Sequence, residues 1–148
     1  MNIQIKRIDD SLPLPEYATE GSCAFDLYSR ESRTIQSKEI ALLPSNLIIQ
    51  TPTNHLLLLA PRSSLAKKKG LIMPNSVGII DQDYSGPEDE ILLQVQNFTD
   101  QPILVERGER IAQGTFVVIE RATWHEVSQI QQQSRGGIGS TGGYGGQA

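Results

Sequence analysis

Residues 40–60 read IALLPSNLIIQTPTNHLLLLA, which is three short apolar runs separated by two turn sequences. The apolar runs occupy positions 40–43, 47–50 and 55–60, and the turn sequences are PSN at 44–46 and PTN at 52–54. Proline and asparagine are typical turn residues, because proline fixes one backbone angle and asparagine tolerates a left-handed conformation. Apolar runs of this length between such turns predict three β-strands in succession.

The same pattern of short runs and turns continues towards both ends of the chain. Further strands are predicted at residues 2–8, 23–28, 90–98, 103–106 and 114–121. Residues 11–18 contain two prolines and are expected to be extended, and only residues 63–69 have the pattern of a helical turn. Many short strands with a turn every eight to twelve residues or so indicate an all-β, jelly-roll-like antiparallel barrel or sandwich, which we assign to residues 1–133.

Composition narrows the class of protein. The chain of 148 residues has the size of one domain, and its net charge of −4 argues against a protein that coats nucleic acid. No apolar stretch has the length of a membrane span, and residues 1–10 lack the apolar core of a signal peptide. We therefore expect a cytoplasmic protein without a membrane partner. The single cysteine, Cys23, excludes an internal disulfide framework and a cysteine zinc cluster.

Residues 73–90, MPNSVGIIDQDYSGPEDE, concentrate polar and turn-forming residues between two predicted strands. The pattern predicts a hairpin that presents Asn75, Gly78, Asp81 and Tyr84. Loops held by strands on both sides often carry binding residues. A solvated turn has the same composition, so this stretch alone does not decide between the two interpretations.

Two further segments carry groups suited to an anion. PRSSLA at 61–66 places Arg62, Ser63 and Ser64 at the start of the predicted helical turn, where side chains and backbone amides can bind phosphate oxygens. Asp26 lies between apolar residues of a predicted strand, and Arg62 is the natural partner for such an acid. GERIAQ at 108–113 is interpreted as a turn that ends with Gln113, ahead of the final strand.

The last fifteen residues, SRGGIGSTGGYGGQA, hold seven of the thirteen glycines. This composition is typical of a disordered tail. The alternative is a flexible glycine-rich arm over residues 134–148 that closes over a phosphate, with exposed backbone N–H groups and Arg135 as its cation. The segment lacks the Gly-Lys-Ser/Thr sequence of a Walker phosphate loop.

Five blocks, taken in order, resemble the five motifs of the trimeric dUTPase family. They are CAFDLYS from Cys23, PRSSLA from Pro61, PNSVGIIDQDYSG from Pro74, GERIAQ from Gly108 and RGGIGSTG from Arg135. Each block is weakly specific, but all five in this order span nearly the whole chain.

This resemblance implies a homotrimer of jelly-roll subunits with shared active sites, each closed by the C-terminal arm of a neighbouring subunit. The implied reaction converts dUTP to dUMP and pyrophosphate, with Mg²⁺ held mainly by the triphosphate. Asp81 is implied as the catalytic base that orients and deprotonates the attacking water. Asp26 is implied to support Arg62 and, through water, the metal ion.

The resemblance also implies the residues that contact the nucleotide. Tyr84 would pack under the deoxyribose and exclude a 2′-hydroxyl, and Asn75 with the backbone around Gly78 would recognise the uracil edge. Ser63, Gln113 and Arg135 would contact phosphate oxygens. The full substrate-binding set is Arg62, Ser63, Ser64, Asn75, Gly78, Tyr84, Gln113, Arg135, Ile138, Gly139 and Ser140.

The chain departs from the family pattern at three places. Ile138 stands where the arm usually carries an aromatic residue, Ser64 replaces a glycine, and residues 86–90 form a longer turn than the family pattern has. The departures at the arm are the support for an alternative, a nucleotide-binding or signalling trimer without turnover. A second alternative, a dCTP deaminase of the same fold, needs a glutamate three residues before Asn97, where this chain has Gln94.

Overall fold

The computed structural model describes residues 1–130, 133, 134, 136 and 137. No helix within these residues is long and apolar enough to cross a membrane. Short strands dominate this part of the chain: β1 (Ile5–Arg7), β2 (Phe25–Tyr28), β3 (Arg33–Ile35), β4 (Ile40–Pro44), β5 (Leu47–Ile49), β6 (His55–Pro61), β7 (Leu71–Ile72), β8 (Gly78–Ile80), β9 (Leu92–Asn97), β10 (Ile103–Val105) and β11 (Arg110–Val118). One short π-helical turn, Leu65–Lys69, follows β6 and fulfils the prediction of a helical turn there.

The strands form four antiparallel sheets. The larger two have the strand orders β2-β11-β6-β8 and β4-β9-β7, and the smaller two pair β1 with β5 and β3 with β10. The prediction of an antiparallel all-β fold is therefore confirmed. Three strands, β3, β7 and β8, were not predicted, because each is only two or three residues long and carries little periodic signal.

One hydrophobic core lies between the two larger sheets. Strand alternation turns Leu57 and Leu59 of β6 inward from one sheet, and Leu93 and Val95 of β9 inward from the other. These four side chains are at most 2% exposed. The strands that carry the candidate site are thus fixed by their buried faces, which leaves their opposite faces and their ends for binding.

The prediction that residues 73–90 form a hairpin is wrong. β8 pairs with β6, whereas β9 pairs with β4 and β7 in the other large sheet. The intervening loop crosses between sheets because the alternation of β9 directs its apolar residues onto the far side of the core.

The final strand also begins earlier than predicted, at Arg110 rather than at Gly114, and ends at Val118. Its register against β2 shifts between Arg110 and Ala112, which makes Ile111 the extra residue of a β-bulge. Ile111 and Ala112 are both buried, so the bulge hides two consecutive apolar residues. Sequence alternation could not reveal this strand start, since a bulge interrupts the two-residue period.

Candidate active site

Asp26 is the centre of a charged group that we call the arginine cluster: Asp26, Arg62, Arg110 and Gln113. The Asp26 side chain is 12% exposed, and its two oxygens accept hydrogen bonds from Arg62 Nε at 2.8 Å and from Arg110 Nη1 at 3.2 Å. The predicted pairing of Asp26 with Arg62 is confirmed. Two cations around one carboxylate leave this cluster with an excess of positive charge.

The local fold explains how these side chains meet. Asp26 points away from the core because its neighbours on β2, Phe25 and Leu27, point into it. Gln113 of β11 lies directly opposite Asp26. Residues 110 and 113 of a regular strand would face opposite sides, and the bulge at Ile111 brings Arg110 to the side of Asp26 and Gln113.

Gln113 and the serines complete this end of β6. Gln113 Nε2 donates to the Pro61 carbonyl at 3.0 Å, which orients its amide beside Arg62. Ser63 is exposed, and Ser64 is half-buried at the N-terminus of the helical turn, where its side chain makes no capping hydrogen bond. A cleft of about 420 Å³ here is lined by Arg62, Ser63 and residues that include Met73 and Ser76.

The arginine cluster can bind an anion. Arginine has five N–H donors, and Asp26 takes only the Nε–H of Arg62 within the residues that the structure describes. The two terminal nitrogens of Arg62 are thus available for a bidentate contact with phosphate oxygens. Exposed Ser63 adds a hydroxyl at the same cleft.

Asp81 lies at the other end of β6, one residue past β8. Its side chain lines a separate cleft of about 570 Å³ with Gln82, Asp83, Ile119 and Arg121. Asp81 is exposed, and its carboxylate accepts no hydrogen bond from residues 1–130. A carboxylate held at a strand end without a protein partner is free to accept a proton from water.

Tyr84 and the segment before β8 flank Asp81. Tyr84 is 37% exposed, and its hydroxyl donates to the Glu90 carbonyl at 3.1 Å. Asn75 is exposed in the turn that leads into β8, where its carbonyl accepts from Val77 N at 2.7 Å. Gly78 packs tightly on β6, since a Cβ at this position would lie 3.2 Å from Leu59 Cβ.

One chain does not bring Asp81 and Arg62 together. Ile80 pairs with Leu57, so Asp81 comes level with Leu56. Arg62, directly after β6, lies six residues further along the chain than Leu56. The two side chains therefore start about 20 Å apart, at a rise of about 3.3 Å per strand residue. Within one subunit, Asp81 and Arg62 thus lie towards opposite ends of β6.

Four of the predicted site residues, Arg135, Ile138, Gly139 and Ser140, lie outside the described residues. Before them, residues 119–130 contain no strand, and they carry the exposed apolar side chains of Trp124, Val127 and Ile130. Within the described part of the chain, no three histidine, cysteine, aspartate or glutamate side chains cluster as metal ligands.

Sequence reasoning missed two contributors to this site. Arg110 belongs to the GERIAQ block, but its contact with Asp26 depends on the bulge, which the sequence does not signal. The sequence places Glu90 where a long turn meets the strand predicted at residues 90–98, and does not signal that its side chain holds that loop through Arg30. An arginine sixty positions away gives no local pattern to find.

Comparison with known proteins gives consistent matches. The sequence model of the dUTPase family matches residues 10–142. A deoxyuridine 5′-triphosphate nucleotidohydrolase of Dictyoglomus turgidum is 43% identical over 148 residues, which is 96% of this chain and 99% of the relative.

Solved structures agree with this relationship. The dUTPase of Streptococcus mutans superimposes with a TM-score of 0.75 at 33% identity, over 81% of this chain and 98% of that one. The dUTPase of Staphylococcus bacteriophage 80alpha, solved with dUPNHPP, gives a TM-score of 0.84 over 95% of this chain and 98% of that one. At 23% identity the phage protein supports the fold alone. The jelly-roll-like architecture is thereby confirmed.

Proposed function

The chain belongs to the dUTPase family, and on that premise we propose that it hydrolyses dUTP to dUMP and pyrophosphate. Water attacks the α-phosphorus, the bond to the oxygen that bridges to the β-phosphorus breaks, and pyrophosphate leaves. Hydrolysis of this kind depends on positioning and charge neutralisation more than on a covalent nucleophile.

The contrast between two aspartates carries the proposal. Asp26 is paired with two arginines, whereas the Asp81 carboxylate is exposed and unbonded within residues 1–130. Asp81 is accordingly the general base that takes the proton of the attacking water. Bases of this kind contribute roughly 10²–10⁴-fold to the rate.

The arginine cluster and the two serines beside it are proposed to bind the triphosphate. The contacts are made by Arg62 and Gln113 of the cluster and by Ser63 and Ser64. Asp26 keeps Arg62 oriented through the 2.8 Å contact with its Nε. This arrangement supplies donors at fixed positions for the phosphate oxygens.

Mg²⁺ is the proposed cofactor. The described residues offer Asp26 but no three-ligand cluster, which suits a metal held mainly by substrate phosphates with water completing its shell. Asp26 would support that ion through water, since both of its oxygens already accept from arginines. When bound, the ion neutralises phosphate charge.

The nucleoside is proposed to lie along the segment that contains β8. Tyr84 packs under the deoxyribose and leaves no room for a 2′-hydroxyl, while Asn75 and the backbone around Gly78 bind the uracil edge. The close approach of Gly78 to Leu59 supports this assignment, because it lets the β8 backbone pack directly against β6.

We further propose a homotrimer in which Asp81 of one subunit and Arg62 of another complete each site. The separation of these residues within one subunit supports this, and so do the exposed Trp124, Val127 and Ile130, whose side chains need a covering surface. Residues 134–148 are proposed as the arm that closes the site through Arg135, Ile138, Gly139 and Ser140. The cytoplasm is the expected compartment for an enzyme of free nucleotides.

Neither alternative activity is favoured. A deaminase needs an acid–base group where this chain has Gln94, and an amide cannot exchange a proton in that role. The free Asp81 carboxylate opposes a binding protein without turnover.

Pyrophosphate release from dUTP, dCTP, dTTP and UTP with Mg²⁺ tests the proposed function, for the full chain and for a truncation after Gln133. We expect rapid release from dUTP alone and a large loss on truncation. Activity that survives truncation would remove the arm from the site but leave the reaction. A well-folded protein that releases pyrophosphate from none of the four would overturn the proposal.

A further inference from the structure

The loop from Asp81 to Ile91 crosses between sheets without belonging to either one. Its own closure depends on a few contacts: the Tyr84 hydroxyl donates to the Glu90 carbonyl at 3.1 Å, and Gly86 N donates to Asp89 Oδ2 at 2.6 Å. The position of the Tyr84 ring is therefore set at the tip of its side chain by the Glu90 backbone.

The Glu90 side chain anchors this loop to the body of the subunit, next to Ile91, which is buried and bonds Leu47 and Ser45 through its backbone. Its oxygens accept from Arg30 Nε and Nη2, both at 2.9 Å, and from the Asn46 backbone N–H at 2.7 Å. The Glu90 side chain is only 12% exposed and that of Arg30 only 30% exposed. Bidentate pairs of this kind fix geometry as well as contributing energy.

The partners of Glu90 are themselves rigid. Asn46 is 2% exposed, has a positive φ of 73°, and uses its side-chain amide to bind both the N–H and the carbonyl of Asp9. The Arg30 N–H donates to the Pro44 carbonyl at 2.7 Å. The hydrogen bonds that Arg30 donates to Glu90 raise the pKa of Arg30 above its ordinary value.

We propose that Glu90, held by Arg30 and Asn46, is a positioning residue that fixes the Tyr84 ring and so determines how strongly the site rejects a ribonucleotide. The inference rests on the proposed function, in which Tyr84 packs under the sugar. Two contacts connect the buried Asn46 to Tyr84. The Asn46 N–H donates to the Glu90 carboxylate, and the Tyr84 hydroxyl donates to the Glu90 carbonyl.

Removing the carboxylate takes away the side-chain anchor next to the Glu90 carbonyl, while the backbone bonds of Ile91 remain and no group proposed to contact the nucleotide is changed. A Tyr84 ring that can move outward makes room for a 2′-hydroxyl. The specificity ratio, kcat/KM for dUTP divided by kcat/KM for UTP, then falls. A general loss of folded or active protein lowers both rates alike and leaves this ratio unchanged.

The test is the specificity ratio of the full-length Glu90→Ala variant. We expect it to fall about tenfold, the scale of one lost hydrogen bond to a charged group, mainly through a lower KM for UTP. Arg30→Lys keeps the positive charge but cannot make the bidentate contact with Glu90, so it should lower the ratio by a smaller factor. It replaces Glu90→Ala in the test if that variant does not fold. Glu39→Ala is the control. It breaks a comparable ion pair, Arg33–Glu39, whose N–O distance is 2.9 Å and which does not belong to this loop, so it should leave the ratio unchanged.

A double-mutant cycle with Tyr84→Phe identifies the route of the effect. If Glu90 acts through the Tyr84 hydroxyl, Glu90→Ala lowers the ratio much less in the Tyr84→Phe background than in the wild type. An unchanged ratio in folded Glu90→Ala and Arg30→Lys, or full additivity with Tyr84→Phe, would overturn the inference. The wild-type protein distinguishes the positioning role of Glu90 from the proposed function. If the wild type fails to hydrolyse dUTP, the proposed function itself is refuted.

Discussion

The two aspartates of the site have the same side chain but opposite surroundings. Asp26 accepts from Arg62 and Arg110, while Asp81 stands exposed at the end of β8. The pairing of Asp26 with Arg62 could be predicted, because an acid between apolar strand residues needs a cation. The contribution of Arg110 could not, since it depends on where the bulge falls.

Replacement of Asp81 by asparagine should remove the base and keep the shape. We expect kcat for dUTP to fall by roughly 10²–10⁴-fold, with nucleotide affinity retained, as measured by pyrophosphate release and by calorimetric titration. Asp100→Asn is the matched control, since Asp100 is an exposed acid paired with Lys38 far from the loop. A variant that loses binding and turnover together would show that Asp81 has a structural role instead.

The contact between Asp9 and Arg107 is expected to make the stability of the fold depend on acidic pH. Its carboxylate accepts from Arg107 and from Ser11, and the Arg107 hydrogen bond holds the pKa of Asp9 well below its ordinary value of 3.8. A group whose folded pKa is depressed stabilises the fold above its unfolded pKa, and this contribution is lost as the pH falls through the folded value.

The Asp9→Asn variant should therefore be less stable than the wild type at pH 7, with a difference that shrinks progressively below about pH 4. Denaturant titrations across this range measure the effect. Asp10→Asn removes the same charge from the neighbouring position, where the described residues provide no ion pair, and should show no such convergence. A stability difference between the wild type and Asp9→Asn that is the same at every pH would contradict the depressed pKa of Asp9.

At the scale of elements, register and pairing partner were the features that sequence alone could not give. The apolar run of β6 and the alternation of β9 were visible as strands, but nothing local in residues 73–90 shows that β8 joins β6 while β9 joins the other sheet. The pairing of β8 is what places Asp81 and Arg62 at opposite ends of β6. This separation supports the proposal that each site is shared between subunits.

The contact between β8 and β6 predicts the effect of Gly78→Ala. A Cβ at Gly78 would lie 3.2 Å from Leu59 Cβ and Cδ1, so the buried Leu59 side chain or β8 must give by a few tenths of an ångström. We expect a loss of roughly 1–3 kcal/mol in unfolding free energy, as for other overpacked sites, and a higher KM for dUTP. Gly21→Ala, with nothing within 4 Å of the added Cβ, is the control. Equal stabilities of the two variants would show that β8 is not tightly held.

For the whole molecule, the sequence predicted the all-β class and, through its five blocks, the family. It did so because strand periodicity and short motifs are local properties. The relation between subunits is not local. The proposal that subunits share each site comes from the register of β8, which sets Asp81 and Arg62 of one chain about 20 Å apart by strand rise.

The most direct test of this shared site is complementation between two inactive subunits. Asp81→Asn and Arg62→Ala chains, co-expressed with different tags and purified as mixed trimers, are assayed for pyrophosphate release from dUTP. If each site takes Asp81 from one subunit and Arg62 from another, some mixed sites contain both native residues, and activity should return although each parent is inactive. Mixed trimers as inactive as their parents would mean that both residues serve the same site from one chain, and would contradict the account.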